Sequence, residues 1–129
     1  MARVLVIDPD REVLEIVEVL LNEEGFDVVM TTTLGDASGL LQQERFDLIL
    51  TEVFEQEDYL TFDPRFLESL QTAAPGIPIM IFSVFPSIDQ VRAERYGLAG
   101  VVAKPFDIDN LLTTIEKALK NRSDAIVQT

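Results

Sequence analysis

Three acids, a hydroxyl and a lysine in this chain stand where an apolar run gives way to polar residues. Val4-Leu5-Val6-Ile7 ends in Asp8-Pro9-Asp10, and Asp47-Leu48-Ile49-Leu50-Thr51 ends in Glu52. Ile77-Pro78-Ile79-Met80-Ile81-Phe82 ends in Ser83, and Val101-Val102-Ala103 ends in Lys104-Pro105. Short apolar runs of this kind read as buried strands. In an open parallel sheet, sites are built at the carboxyl edge of the strands. Asp8, Asp10, Glu52 and Lys104 are therefore expected at one rim. Carboxylates gathered there can offer oxygens to Mg²⁺, which takes octahedral oxygen ligation and keeps water in several positions, or they can pair with the lysine. Plainer roles compete: Asp8 capping the next helix, Asp10 in that helix's first turn, Glu52 as a solvated strand-end acid, and Ser83 bonding only to backbone. With Pro9 between the two acids, the plainer roles are favoured for Asp8 and Asp10.

The bulk numbers narrow the classes. A length of 129 residues fits one domain with a substantial core. The composition, 47% hydrophobic and 26% charged, is that of a folded globular chain. A net charge of −13 with no basic cluster argues against nucleic acid and against an anionic membrane surface. The chain has no Cys, which excludes disulfides and thiol chemistry, and no His, which removes the commonest general base and metal ligand. Met1-Ala2-Arg3 runs straight into the first apolar segment, without a signal-peptide core or long apolar span, so a cytoplasmic location is expected.

The elements needed to position the rim can be taken in order. A strand over Arg3–Ile7 precedes a helix from about Asp10 to Glu24, with Val13, Leu14, Ile16, Val17, Leu20 and Leu21 inward. A mixed-polarity strand over Phe26–Thr31 suits a sheet edge. Thr33 caps a helix to about Glu44, carrying Ala37, Leu40 and Leu41 inward. The strand ending at Glu52 leads into an acidic loop, Val53 to Phe62, whose aromatics are candidates for a contact surface. Asp63-Pro64 opens a helix bearing Phe66, Leu67 and Leu70. After the strand ending at Ser83, Ser87 and Gln90 have capping-box spacing for a helix that Gly97 closes. Gly100–Ala103 is the fifth strand. Asp107 caps a last helix to about Asn121, with Leu111, Leu112, Ile115 and Leu119 inward. Residues 1–121 thus form one domain, and 122–129 a tail without usable periodicity. Five strands alternating with helices give a parallel sheet covered on both faces.

In this order, Val4-Leu5-Val6-Ile7-Asp8, Asp47 to Glu52, Ile77 to Ser83 and Lys104-Pro105-Phe106 resemble the landmarks of response-regulator receiver domains. The resemblance covers about Arg3 to Asn121. It implies a flavodoxin-like (βα)5 doubly wound sheet with strand order 2-1-3-4-5. It also implies two-component signalling, in which an aspartate accepts a phosphoryl group from a histidine kinase with Mg²⁺ present. The family's acceptor aspartate falls on Glu52, its hydroxyl on Ser83, its lysine on Lys104, the following and often cis proline on Pro105, and its aromatic switch position on Val101. The second acid after the first strand, usually a metal ligand, falls on Pro9, so Mg²⁺ binding through Asp8 and Asp10 is weakened.

These departures set the functional expectation. A glutamate carboxylate reaches about 1.5 Å further than an aspartate's, which spoils in-line geometry built for the shorter chain. Glu52 is then expected to lean on Lys104 and imitate a phosphoryl group, with one negative charge where phosphate carries nearly two. The expected protein is a non-enzymatic, atypical receiver acting through protein partners: a histidine kinase, an output protein or another receiver. Arg92, Arg95, Lys117 and Lys120 on the last two helices offer a docking face, including for a homodimer. Two alternatives are a conventional Mg²⁺-dependent phosphoacceptor and a haloacid-dehalogenase-type phosphohydrolase opening with Asp8-Pro9-Asp10. The second lacks the Thr or Val that motif needs at Glu12 and a downstream strand ending in paired acids. A flavodoxin is excluded because its first loop should be hydroxyl-rich to cradle phosphate.

Overall fold

Each apolar run becomes a strand that is covered on both sides. In the computed structural model, residues 1–54, 61–84, 88 and 91–128 are described, 123–128 by backbone alone. β1 (Arg3–Ile7), β2 (Asp27–Thr31), β3 (Leu48–Thr51), β4 (Ile79–Ser83) and β5 (Gly100–Ala103) pair in parallel in the order β2-β1-β3-β4-β5. Side chains alternate across a strand, so successive residues feed two different cores. Leu5, Ile7, Ile49, Ile79 and Ile81 face one layer, with Ala37, Phe66, Leu67 and Leu70. Val4, Val6, Leu48, Leu50, Met80, Phe82 and Val102 face the other. That second layer is closed by α1 (Arg11–Glu23) through Leu14, Val17 and Leu21, and by α4 (Ile108–Gln128) through Leu111, Ile115 and Ala118. α2 (Leu34–Gln43) and α3 (Glu68–Ala73) cover the first.

The helix starts follow their caps. Thr33 accepts from the Asp36 amide at 3.1 Å, Asp63 from the Arg65 amide at 3.0 Å, and Asp107 from the Asp109 amide at 2.8 Å. The Arg65 guanidinium grips the same Asp63 carboxyl and, with that amide, holds its pKa below the usual range. Three expectations are corrected. Ile16 does not face the core: it is 57% exposed, because Leu14, Val17 and Leu21 already fill the stripe against the sheet. The segment after Asp63 begins as a 3-10 turn, Pro64–Leu67, and becomes α-helical only at Glu68. Among the described residues, the connection between β4 and β5 is likewise a 3-10 turn, Ala93–Tyr96, in place of an α-helix. Arg92 holds extended angles and Gly97 turns left-handed at φ 70°, which leaves room for one turn only. Ser87 and Gln90 lie outside the described residues.

The last helix runs past Asn121 to Gln128. Arg122, assigned to a tail by periodicity, is tied down instead: its Nη1 donates to the Asp47 carbonyl at 3.2 Å and to Asp47 Oδ1 at 3.3 Å. Asp47 also accepts the Arg3 amide through Oδ2 at 2.8 Å. The amino ends of β1 and β3 and the far part of α4 are thereby fastened together, at the edge of the sheet opposite the rim.

α4 approaches β5 closely at one point. A Cβ on Gly100 would stand 2.5 Å from Thr114 Cγ2. Thr114 cannot simply rotate away, because its hydroxyl donates to the Asn110 carbonyl at 2.7 Å and its branched Cβ restricts χ1. Gly100→Ala is expected to lower stability by about 1–3 kcal/mol, read by urea unfolding. Adding Thr114→Ser, which deletes the opposing methyl, is expected to restore most of that loss.

Candidate functional site

The rim is set by strand register. Ile7 pairs with Thr51, Thr51 with Ile81, and Ser83 with Ala103. The next residue of three strands stays in the ladder: the Asp8 amide donates to the Thr31 carbonyl at 3.1 Å, Glu52 to Ile7 at 2.9 Å, and Lys104 to Ser83 at 2.8 Å. Asp8, Glu52 and Lys104 therefore project from neighbouring points of one edge. Asp8 is 1% exposed and Glu52 8%, and Ser83 is buried at the end of β4.

The lysine is shared. Lys104 Nζ donates to Asp8 Oδ2 in a very short contact and to Glu52 Oε1 at 3.1 Å. It also lies 4.3 Å from the centre of the Phe82 ring, a position in which the ring's negative face attracts a cation. Glu52 accepts two backbone amides as well: Val53 N–H at 2.6 Å through Oε2, and Val84 N–H at 3.4 Å through Oε1. Its carboxylate thus sits among three donors supplied by β5 and by the ends of β3 and β4. The Thr51 hydroxyl, buried below, donates to the Glu52 carbonyl at 2.9 Å and steadies the backbone from which that side chain leaves.

The acids of the first loop divide differently from the plainer reading. Asp8 does not cap α1; its Oδ1 accepts the Asp10 amide at 2.8 Å while its other oxygen meets the lysine. Asp10 is the cap, exposed, accepting the Glu12 amide at 2.9 Å. Val101 is half-buried beside the first core, paired with Ile81 in register. Pro105 is joined to Lys104 by a cis peptide bond. Of the loop aromatics, Phe62 is buried, edge-on to Phe66 at 6.2 Å and to Tyr96 at 5.0 Å. Phe54 is half-buried, 6.4 Å from Phe66. Phe62 serves the core and offers no contact surface, while Phe54 packs on the core and stays partly exposed; Glu55 to Leu60 of that loop lie outside the described residues. Arg92, Arg95, Lys117 and Lys120 are exposed, and Arg92 pairs with Glu94 at 3.2 Å.

A divalent cation is implied by the resemblance, and the residues present do not fit one. Pro9 has no side-chain oxygen, and Asp10 is spent on the helix cap. All four oxygens of Asp8 and Glu52 already accept from an amide or the ammonium. Among the described residues, no cluster of three or more acidic side chains could hold a metal.

Sequence reasoning missed Phe82, Thr51 and the Val53 and Val84 amides. Phe82 and Thr51 read as ordinary strand residues, and backbone amides carry no residue-type signal at all.

A five-stranded parallel sheet in this order, with acids, a hydroxyl and a lysine at its carboxyl rim, defines a receiver of the flavodoxin-like class. Residues 4–116 match the family described as response regulator receiver domain, and the chain belongs to that family, the receivers of two-component signalling. It is similar to the transcriptional regulatory protein ZraR of Salmonella typhimurium, 33% identical over 119 residues, covering 90% of this chain and 26% of that protein. It is also similar to GlrR of Escherichia coli K12, 30% identical over 125 residues, covering 96% and 28%. The chain thus spans about a quarter of the length of these curated relatives. The CheY-like receiver from Methanospirillum hungatei JF-1 shares the fold with a TM-score of 0.81 at 22% identity, over 97% of this chain and 98% of that one.

Removing the shared cation would strand two buried carboxylates. Lys104→Met is expected to cost about 3–5 kcal/mol, measured as a lowered midpoint in urea.

Proposed function

We propose that this chain is an atypical receiver, in which Glu52 stands at the acceptor position, takes no phosphoryl group, and acts through contacts with other proteins. The observation that carries this is the triple engagement of the Glu52 carboxylate by Val53 N–H, Val84 N–H and Lys104. Phosphoryl transfer depends on placing a nucleophilic oxygen in line and neutralising charge around it. Here both oxygens are already held by donors, and the lysine that would steady incoming charge is paired with Asp8 and Glu52. The carboxylate fills the place of a bound anion, so the module holds one posture without turnover.

Partners in this reading are signalling proteins: a histidine kinase, an output protein or a second receiver, the last including a copy of this chain. The exposed arginines and lysines near β5 and on α4 support a docking face on an otherwise acidic molecule. The relatives named above are transcriptional regulators, yet a net charge of −13 supports no direct contact of this domain with nucleic acid. No helix among the described residues is long and apolar enough to cross a membrane, which supports the cytoplasmic reading. The phosphohydrolase alternative has less support, since its second acid, Asp10, is exposed and committed to capping α1. A conventional phosphoacceptor remains the competing outcome of the test, because Ser83, Lys104 and an acid do share the rim.

Incubation with acetyl phosphate and Mg²⁺, followed by intact mass, is expected to show no added phosphoryl group. Stoichiometric addition that disappears in Glu52→Gln would end this reading in favour of the conventional one.

A further inference from the structure

The misfit between this rim and a divalent ion has a definite cause in the chain's own residues. Asp8 and Glu52 are two nearly buried carboxylates, and two such groups side by side need a counter-ion. Lys104 supplies it: its ammonium touches one oxygen of each acid and rests against the Phe82 ring, with the side chain 9% exposed. The remaining oxygens, Asp8 Oδ1 and Glu52 Oε2, are occupied by the Asp10 and Val53 amides. Mg²⁺ would have to displace a desolvated ammonium and two amides while gaining no oxygen from position 9.

We infer that Lys104 is the resident cation of this rim, a built-in substitute for a divalent metal, so that the posture of the site is independent of Mg²⁺. The inference rests on the functional reading above and deepens it: it names an ion that does not regulate the site. It also assigns a latent property. With the ammonium deleted, Asp8 and Glu52 become a buried acidic pair open to a small divalent cation, which is the one common ion able to neutralise both and keep waters in its other positions.

The test uses the whole chain with Mg²⁺ and Mn²⁺ alone, without a phosphodonor. The thermal midpoint of the native protein is expected to stay put at about 10 mM Mg²⁺, whereas any site tighter than millimolar would raise it. Mn²⁺ titration followed by electron paramagnetic resonance should show no site tighter than millimolar. Lys104→Met should melt lower than native and be raised by either ion, binding Mn²⁺ about tenfold or more tighter than native. Lys104→Arg, which keeps the charge, should remain indifferent to metal. Native binding tighter than millimolar overturns the inference, and so does a folded Lys104→Met that ignores both ions. If Lys104→Met does not fold, the native titration decides alone. The two readings fail separately: phosphoryl uptake sinks the functional one, and metal binding without phosphoryl uptake sinks only this one.

Discussion

The ammonium of Lys104 is the point on which the rest of the structure turns. It lies between two carboxylates that come from different strands, and it arrives from a third. A buried ion pair is not automatically stabilising, since desolvation offsets much of the attraction. Its effect here is on geometry. Once Asp8 and Glu52 are both buried, one position satisfies both, and the ammonium has little freedom to leave it. The Phe82 ring behind it and the amides on the far oxygens remove the alternatives.

That constraint is affordable only because the sheet delivers the three residues in register. Ile7, Thr51 and Ala103 are ladder residues of their strands, and the next amide along each strand still bonds to its neighbour. The apolar layers on both faces fix the strands, and the strands fix the rim. At the opposite edge, the Arg3, Asp47 and Arg122 contacts hold the amino ends of two strands and the far part of α4. The site is thus a consequence of strand register and of the packing beneath it. In a receiver of this kind, one methylene of extra reach at Glu52 has a large effect. Its carboxylate meets the amides of Val53 and Val84 and the lysine, the one cation that it shares with Asp8.

Much of this was legible in the residues, and the exceptions share a cause. The strands were open to reading from short apolar runs, their order from the resemblance to receiver domains, and the pairing of Glu52 with Lys104 from that resemblance together with the acids and the lysine at strand ends. Asp8 was misread as a cap because a cap and a site acid are the same residue type at the same place; only its burial beside Lys104 separates them. Ile16 was assigned inward because an apolar residue on an amphipathic helix counts toward the stripe, although the stripe was already full. The turn at Ala93–Tyr96 and the extension of α4 through Arg122 depend on neighbours distant in sequence, which local periodicity does not see. Phe62 looked like an exposed aromatic because its loop is acidic, yet Phe66 and Tyr96 enclose it.

By itself, the sequence determined which residues are buried in strands, which acids and which lysine stand at strand ends, and that position 9 offers no oxygen. These are properties of residue type and spacing, and they survive any detail of packing. Only the tertiary structure decided that Lys104 is divided between Asp8 and Glu52, that two backbone amides complete the Glu52 cradle, and that Phe82 backs the ammonium. The reason is physical: the lysine shared by Asp8 and Glu52, the Val84 amide and the Phe82 ring face are relations between chain segments tens of residues apart, which come into being only when the register of the sheet is fixed. The Val53 amide is local and joins the cradle through the direction the backbone takes after β3.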